Sequence, residues 1–134
     1  MTTSNSTITM AQLEAALAVS WDAATAKGGW NPVCPCLNQC AVTALVVQDW
    51  FGGDLLRCPT KEGDSHYWNR LPNGHEVGLT DGQFVFSGNR PLYDQIVEQA
   101  REYVLSFPDT LAKYTILSQR VTDILGKPPK YQLW

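Results

Sequence analysis

The sequence predicts a small α+β domain in which a central cysteine-bearing helix and flanking helices pack on a small antiparallel sheet. Three observations predict it. After Cys40 the run Ala41-Val42-Thr43-Ala44-Leu45-Val46-Val47 is apolar on most sides, the mark of a buried helix. Two strand-like runs, His66 to Leu71 and His75 to Leu79, flank the turn signal Pro72-Asn73-Gly74 and read as a hairpin. Helical apolar stripes lie towards both ends of the chain, with no internal repeat and no interdomain linker between them.

Taken in order, the Ser/Thr-rich residues 1–8 form a flexible N-terminus, 9–126 a single domain and 127–134 a C-terminal tail. Thr9 and Gln12 form a capping box, and Leu13, Ala16, Leu17, Trp21 and Ala24 carry a helix to the stop at Gly28-Gly29. Trp30 to Leu37 holds two prolines and is an irregular loop. The central helix spans about Gln39 to Trp50 and ends at Phe51-Gly52-Gly53, after which Asp54 to Cys58 begins a strand. Following the hairpin, Thr80-Asp81-Gly82-Gln83 reads as a cap with one helical turn and Phe84-Val85-Phe86 as an extended piece. Pro91 to Leu105 has helical periodicity, although Val104 to Phe107 also suits a strand. Asp109 or Thr110 caps a last helix with the stripe Leu111, Tyr114, Leu117, Val121 and Ile124, stopped by Gly126 and Pro128-Pro129.

Composition narrows the class. A hydrophobic fraction of 44% with 17% charged residues is that of a folded domain. The net charge of −3 without a Lys/Arg cluster argues against nucleic-acid partners. Neither a signal-peptide pattern nor an apolar run of membrane-spanning length is visible, so a cytoplasmic location and reduced thiols are expected, with no membrane partner. Oligomeric state leaves no mark in the sequence.

The chemistry gathers around Cys40. A thiol at a helix start meets unpaired backbone N–H groups that favour the thiolate, and the amides of Cys40, Gln39 and Asn38 are the nearest oxyanion donors. The same position also suits a small buried hydrophobe. His66 is the candidate base, and the return strand offers Glu76, Thr80 and Asp81 to orient its ring. A three-residue turn sets Leu71 opposite His75 and His66 opposite Thr80, while a slip of one residue brings Asp81 opposite His66. Trp30 and Trp68 are candidate walls of a cleft, and Arg70, on the face of His66, is a candidate receiver for an anionic substrate group. His75, beside the turn glycine, reads as a solvated turn residue.

Cys34, Cys36, Cys40 and Cys58 suggest two rivals, a four-thiolate zinc site and a redox role in which Cys34 or Cys36 resolves an oxidised Cys40. The spacing lacks the paired knuckles of structural zinc, so neither a metal nor another cofactor is expected.

The run Asn38 to Asp49, with Phe51-Gly52-Gly53, Ser65-His66-Tyr67-Trp68-Asn69-Arg70-Leu71-Pro72-Asn73-Gly74 and Glu76 to Thr80, resembles the uncharacterised bacterial YunG-like family. More widely, helix-start cysteine, strand histidine and next-strand acid are similar in order to the papain-like and transglutaminase-like superfamily. That resemblance implies a cysteine-dependent acyl-transfer or amide-bond hydrolase, with Cys40 as nucleophile and His66 as base, acting on a small-molecule, peptide or protein acyl substrate. The superfamily's acid position falls here on Gly78. Three alternatives follow: Glu76 or Asp81 supplies the acid, the pair works as a dyad, or the chain is a catalytically degenerate binding protein that retains the fold.

Overall fold

A computed structural model describes residues 8–129 of the chain. The expected flexible N-terminus and the C-terminal tail therefore lie largely outside the described residues. Helix α1, Met10–Ser20, opens with the capping box: Gln12 N donates to Thr9 Oγ1 at 3.1 Å and Thr9 N to Gln12 Oε1 at 2.7 Å. It stops well short of Gly28. Trp21 turns extended, its indole donates to Thr43 Oγ1 at 2.8 Å, and Asp22 closes the next turn through Ala24 N at 2.9 Å. Helix propensity yields there to two side-chain hydrogen bonds.

Helix α2, Cys40–Phe51, is the hub, with residues 41–47 buried throughout. Gly52 and Gly53 end it with positive φ angles, and a Cβ on Gly53 would overlap the Arg70 carbonyl, so the turn into the sheet requires glycine there. Strands β1 (Asp54–Pro59), β2 (Ser65–Arg70), β3 (Glu76–Val77) and β4 (Val97–Gln99) form an antiparallel sheet in the order β3-β2-β1-β4. β2 lies against α2, and Asn69 Nδ2 donates to the Ala44 carbonyl at 2.9 Å. Short helices α3 (Gly82–Ser87) and α4 (Arg101–Leu105) and the long α5 (Pro108–Leu125) complete an α+β architecture.

Two apolar clusters flank α2. Leu13, Leu17, Val42, Val46, Leu117 and Val121 join α1 and α5 to one face, and Ala41, Ala44, Leu45, Leu55 and Val104 join the sheet and α4 to another. Burying such side chains contributes roughly 1.5–3 kcal/mol each. Among the described residues no helix is long and apolar enough to cross a membrane.

Several elements depart from their sequence expectation. The hairpin register is the three-residue-turn one, with Leu71 N donating to His75 O at 2.7 Å, but β3 holds only Glu76 and Val77 before the chain turns. Phe84-Val85-Phe86 is helical rather than extended. The segment from Pro91 to Leu105 is not one helix: it runs through a 3₁₀ turn at Tyr93–Gln95, then β4, then α4. The outer edge of β1 supplies the reason, since its open hydrogen-bonding groups take up Val97–Gln99. α5 begins at Pro108, before either expected cap, and its buried line is Thr110, Leu117 and Val121, leaving Leu111 and Ile124 about half exposed.

A buried ion cluster ties three helices together. Arg101 donates to Asp49 Oδ1 at 2.8 Å, to Tyr114 Oη at 2.8 Å and to Gln48 Oε1 at 3.0 Å, and the Tyr114 hydroxyl donates to Asp49 Oδ2 at 2.5 Å. Burial raises the pKa of Asp49 against these partners and pushes the Tyr114 phenol up to about 12. Removing the cation leaves the carboxylate buried and uncompensated. Arg101→Ala is therefore expected to cost about 3–5 kcal/mol in urea unfolding, and a loss below about 1 kcal/mol would show that the cluster carries no weight.

Candidate functional site

Cys40 is the first residue of α2, and the loop before it is tied down on every side. Asn38 takes a left-handed φ of 60°, its Nδ2 donates to Gly29 O at 2.7 Å, and its carbonyl accepts from Lys27 N at 2.8 Å. Gln39 is wholly buried and donates Nε2 to Asp22 O at 3.0 Å. Two of the three amides expected as oxyanion donors already have partners. Asn38 N is spent on Gln83 Oε1 at 3.2 Å and Gln39 N on Cys36 O at 3.2 Å. Thr43 N bonds to Gln39 O at 3.0 Å, the first such bond of α2, so the amides of the turn before it, beginning at Cys40, are the open donors of the helix start. The thiol itself is half-buried and contacts Ser65 O at 3.6 Å.

His66 lies on β2 with no exposed surface. Trp68 stacks on its ring at 5.1 Å and 15°, Phe84 meets it edge-on at 4.6 Å, and Tyr93 closes the third side at 6.4 Å. Asp81 Oδ1 stands 3.2 Å from His66 Nε2. Burial works against a charged ring, but Asp81 and the Cys40 thiol outweigh it and push the His66 pKa up to about 9. Neither ring nitrogen completes a well-aligned hydrogen bond. The contacts are close without being aligned, a common condition of acid–base groups before a substrate is bound.

The route by which Asp81 arrives is the main finding at this site. It does not come by a register slip, because β3 has ended. The chain makes a tight turn, Asp81 N donating to Gly78 O at 3.2 Å, and the carboxylate folds back over Gly78. A Cβ on Gly78 would sit only 2.6 Å from Asp81 Cγ. The strand position without a side chain is thus the space in which a carboxylate three residues onward approaches the imidazole.

Other expected site residues go elsewhere. Trp68 is buried behind the ring rather than lining a cleft, and its indole donates to Glu76 Oε1 at 2.8 Å, which occupies Glu76. Trp30 bonds to Pro35 O at 2.9 Å within its own loop. Arg70, on the exposed side of the sheet, pairs with Asp54, at 2.9 Å, and with Glu98. Sequence reading missed Gln83, whose buried amide joins Asn38 N to Thr80 Oγ1, and the ring walls Phe84 and Tyr93. The three-residue spacing from Thr80 was a signal for Gln83; nothing local marked Tyr93.

The thiols do not gather at one point. Cys34 and Cys36 lie 3.7 Å apart, Cys36 also contacts Thr80 O at 3.6 Å, and Cys58 faces His66 across β1 and β2. Among the described residues no group of three or more ligand-type side chains is placed to hold a metal ion. Burial first and then Cys34 push the Cys36 thiol up to about 12.

Gly78→Ala is expected to leave the fold intact, since the carboxyl it strikes is a side-chain end that can swing away. It should lower the His66 pKa, read by NMR titration of the ring protons, in the same direction as Asp81→Asn. An unchanged titration would show that Asp81 does not act through the space over Gly78.

Comparison with known proteins adds the kinship. A stretch of 73 residues is 37% identical to a Bacillus subtilis (strain 168) protein described as "Uncharacterized protein YunG", covering 54% of this chain and 58% of that protein. No solved structure matches. The profile of the family described as YunG protein matches residues 9–126, and the chain belongs to that family.

Proposed function

We propose that this protein is a cysteine-dependent acyl-transfer or amide-hydrolysing enzyme of papain-like or transglutaminase-like type. One observation carries the reading: a carboxylate 3.2 Å from the far nitrogen of a histidine whose pKa the Cys40 thiol also raises. Cys40 would attack a carbonyl carbon as the thiolate, and the oxyanion would meet the N–H groups of the first helical turn. With Nε2 held by Asp81, Nδ1 is the nitrogen left to serve the reaction. His66 then gives its proton to the leaving amine as the C–N bond breaks, and a thioester to Cys40 remains. Water, or an acceptor amine in the transfer case, attacks that thioester while His66 takes up the proton, and the thiolate departs. Asp81 holds the ring and its charge throughout. Four cysteines carried as free thiols suit a reducing compartment, and we place the protein in the cytoplasm.

A second reading is a binding protein that keeps the fold without turnover. The complete burial of His66 favours it, because proton exchange with a substrate then depends on access past Cys40.

Two experiments bear on these readings. At pH 7 iodoacetamide should alkylate Cys40 faster than Cys36, and His66→Gln should slow Cys40 by roughly tenfold or more; a rate indifferent to His66→Gln and to Asp81→Asn would remove the enzyme reading. Stability should follow pH through His66. Its folded value near 9 lies above the unfolded 6.5, so the contribution is whole below pH 6.5 and is lost as pH rises through 9. The wild-type advantage over His66→Gln in urea should shrink by up to about 3 kcal/mol across that window, and a constant difference would mean that the ring is not charged.

A further inference from the structure

Three cavities of about 240, 190 and 240 Å³ lie side by side around Cys40. The first two share Asn38, Cys40, Asp64 and Ser65, and the last two share Lys27, Ala41, Ser65 and Tyr67. The cavities adjoin through these residues, and Cys40 lines the first two. Singly they fall below the roughly 300 Å³ at which small-molecule sites begin, and joined they exceed it.

The two ends differ in charge. Glu62 lines the end beside α3 and Arg57 the other, with Tyr67, Tyr103 and Phe107 around it, while Asp64 and Lys27 reach from their respective ends into the middle cavity that holds Cys40. Lys61 and Arg90 belong to the loops at the acidic end but do not line it. Lys27 donates to Thr110 Oγ1 and Arg57 to Ser65 Oγ at 3.1 Å. Among the described residues neither cation forms an ion pair. Asp109, which feels Lys27 from further away, is paired with Lys113 at 2.8 Å. Two cations without a carboxylate partner, in one cavity walled by aromatic rings and continuous with a candidate nucleophile, suit an anion attached to an apolar group.

We propose that Lys27 and Arg57 form a subsite for the terminal carboxylate of a peptide or N-acyl amino acid whose scissile amide lies at Cys40. This rests on the reading of Cys40 as a nucleophile. In a peptide the free carboxylate always stands on the amine side of the bond to be cut, so the residue in the basic cavity is the leaving one. Tyr67, Tyr103 and Phe107 then cover its side chain. Glu62 at the opposite end and Asp64 in the middle repel the carboxylate and fix the direction of binding. The substrate class is therefore a C-terminal amino-acid amide bond, and the carboxylate is assigned to Lys27 and Arg57.

Affinity labels test this without a known substrate. N-Iodoacetyl-leucine and N-iodoacetyl-leucinamide differ only in the carboxylate, and the efficiency with which each alkylates Cys40 is read by peptide mass spectrometry. The free acid is expected to label about tenfold more efficiently than the amide, and Arg57→Gln and Lys27→Met should each reduce that ratio towards one. Equal efficiency in the wild type, or a ratio that survives in both variants, overturns the subsite. The ratio is independent of how reactive the thiol is. If plain iodoacetamide shows no dependence on His66 while the acid-to-amide ratio holds, the nucleophile reading fails and the anion subsite stands.

Discussion

The constraint on which the site depends is a histidine ring with no exposed surface beside a carboxylate and a thiol. Taking an ion of that size out of water costs several kcal/mol unless opposite charge is supplied within a few ångströms. Asp81, 3.2 Å from Nε2, and the Cys40 thiol oppose the cost of burial and push the His66 pKa up to about 9. The rest of the neighbourhood follows from that requirement. Trp68, Phe84 and Tyr93 exclude water from three sides, which strengthens both electrostatic contacts. Glu76 fixes the stacked indole and Gln83 pins the loop that precedes Cys40 to the turn that carries Asp81.

The parts legible in the sequence are those with a local physical cause. The all-round apolarity of Ala41 to Val47 can only be satisfied by burial, so α2 and the placement of Cys40 at its start could be read directly. The capping box at Thr9 and the Pro72-Asn73-Gly74 turn are likewise short-range chemistry. What failed depended on partners far along the chain. Residues 91–105 carry a helical period, but the open edge of β1 draws three of them into β4. Arg70 shares a strand with His66, yet Asp54 and Glu98, from the two strands beyond, hold it.

Gly78 is the instructive case. Matching strand positions one by one finds no acid there, and alternation along a strand gives no means of reaching His66 from Asp81. A turn does what the strand does not. The missing side chain opens a space, and the carboxylate of Asp81 fills it, so glycine at that position is compatible with a carboxylate beside the ring rather than opposed to it. Of the two carboxylates the sequence offered as the acid, Asp81 stands beside the ring at 3.2 Å, and it comes from a turn rather than from the strand.

The central claim is that His66 is an imidazolium held between Asp81 and Cys40, and the ring's ¹⁵N chemical shifts at pH 7.5 test it most directly. Both nitrogens are expected in the protonated range, moving to the neutral pattern only as pH rises through about 9. A ring already neutral at pH 7.5, with one nitrogen unprotonated, would contradict it.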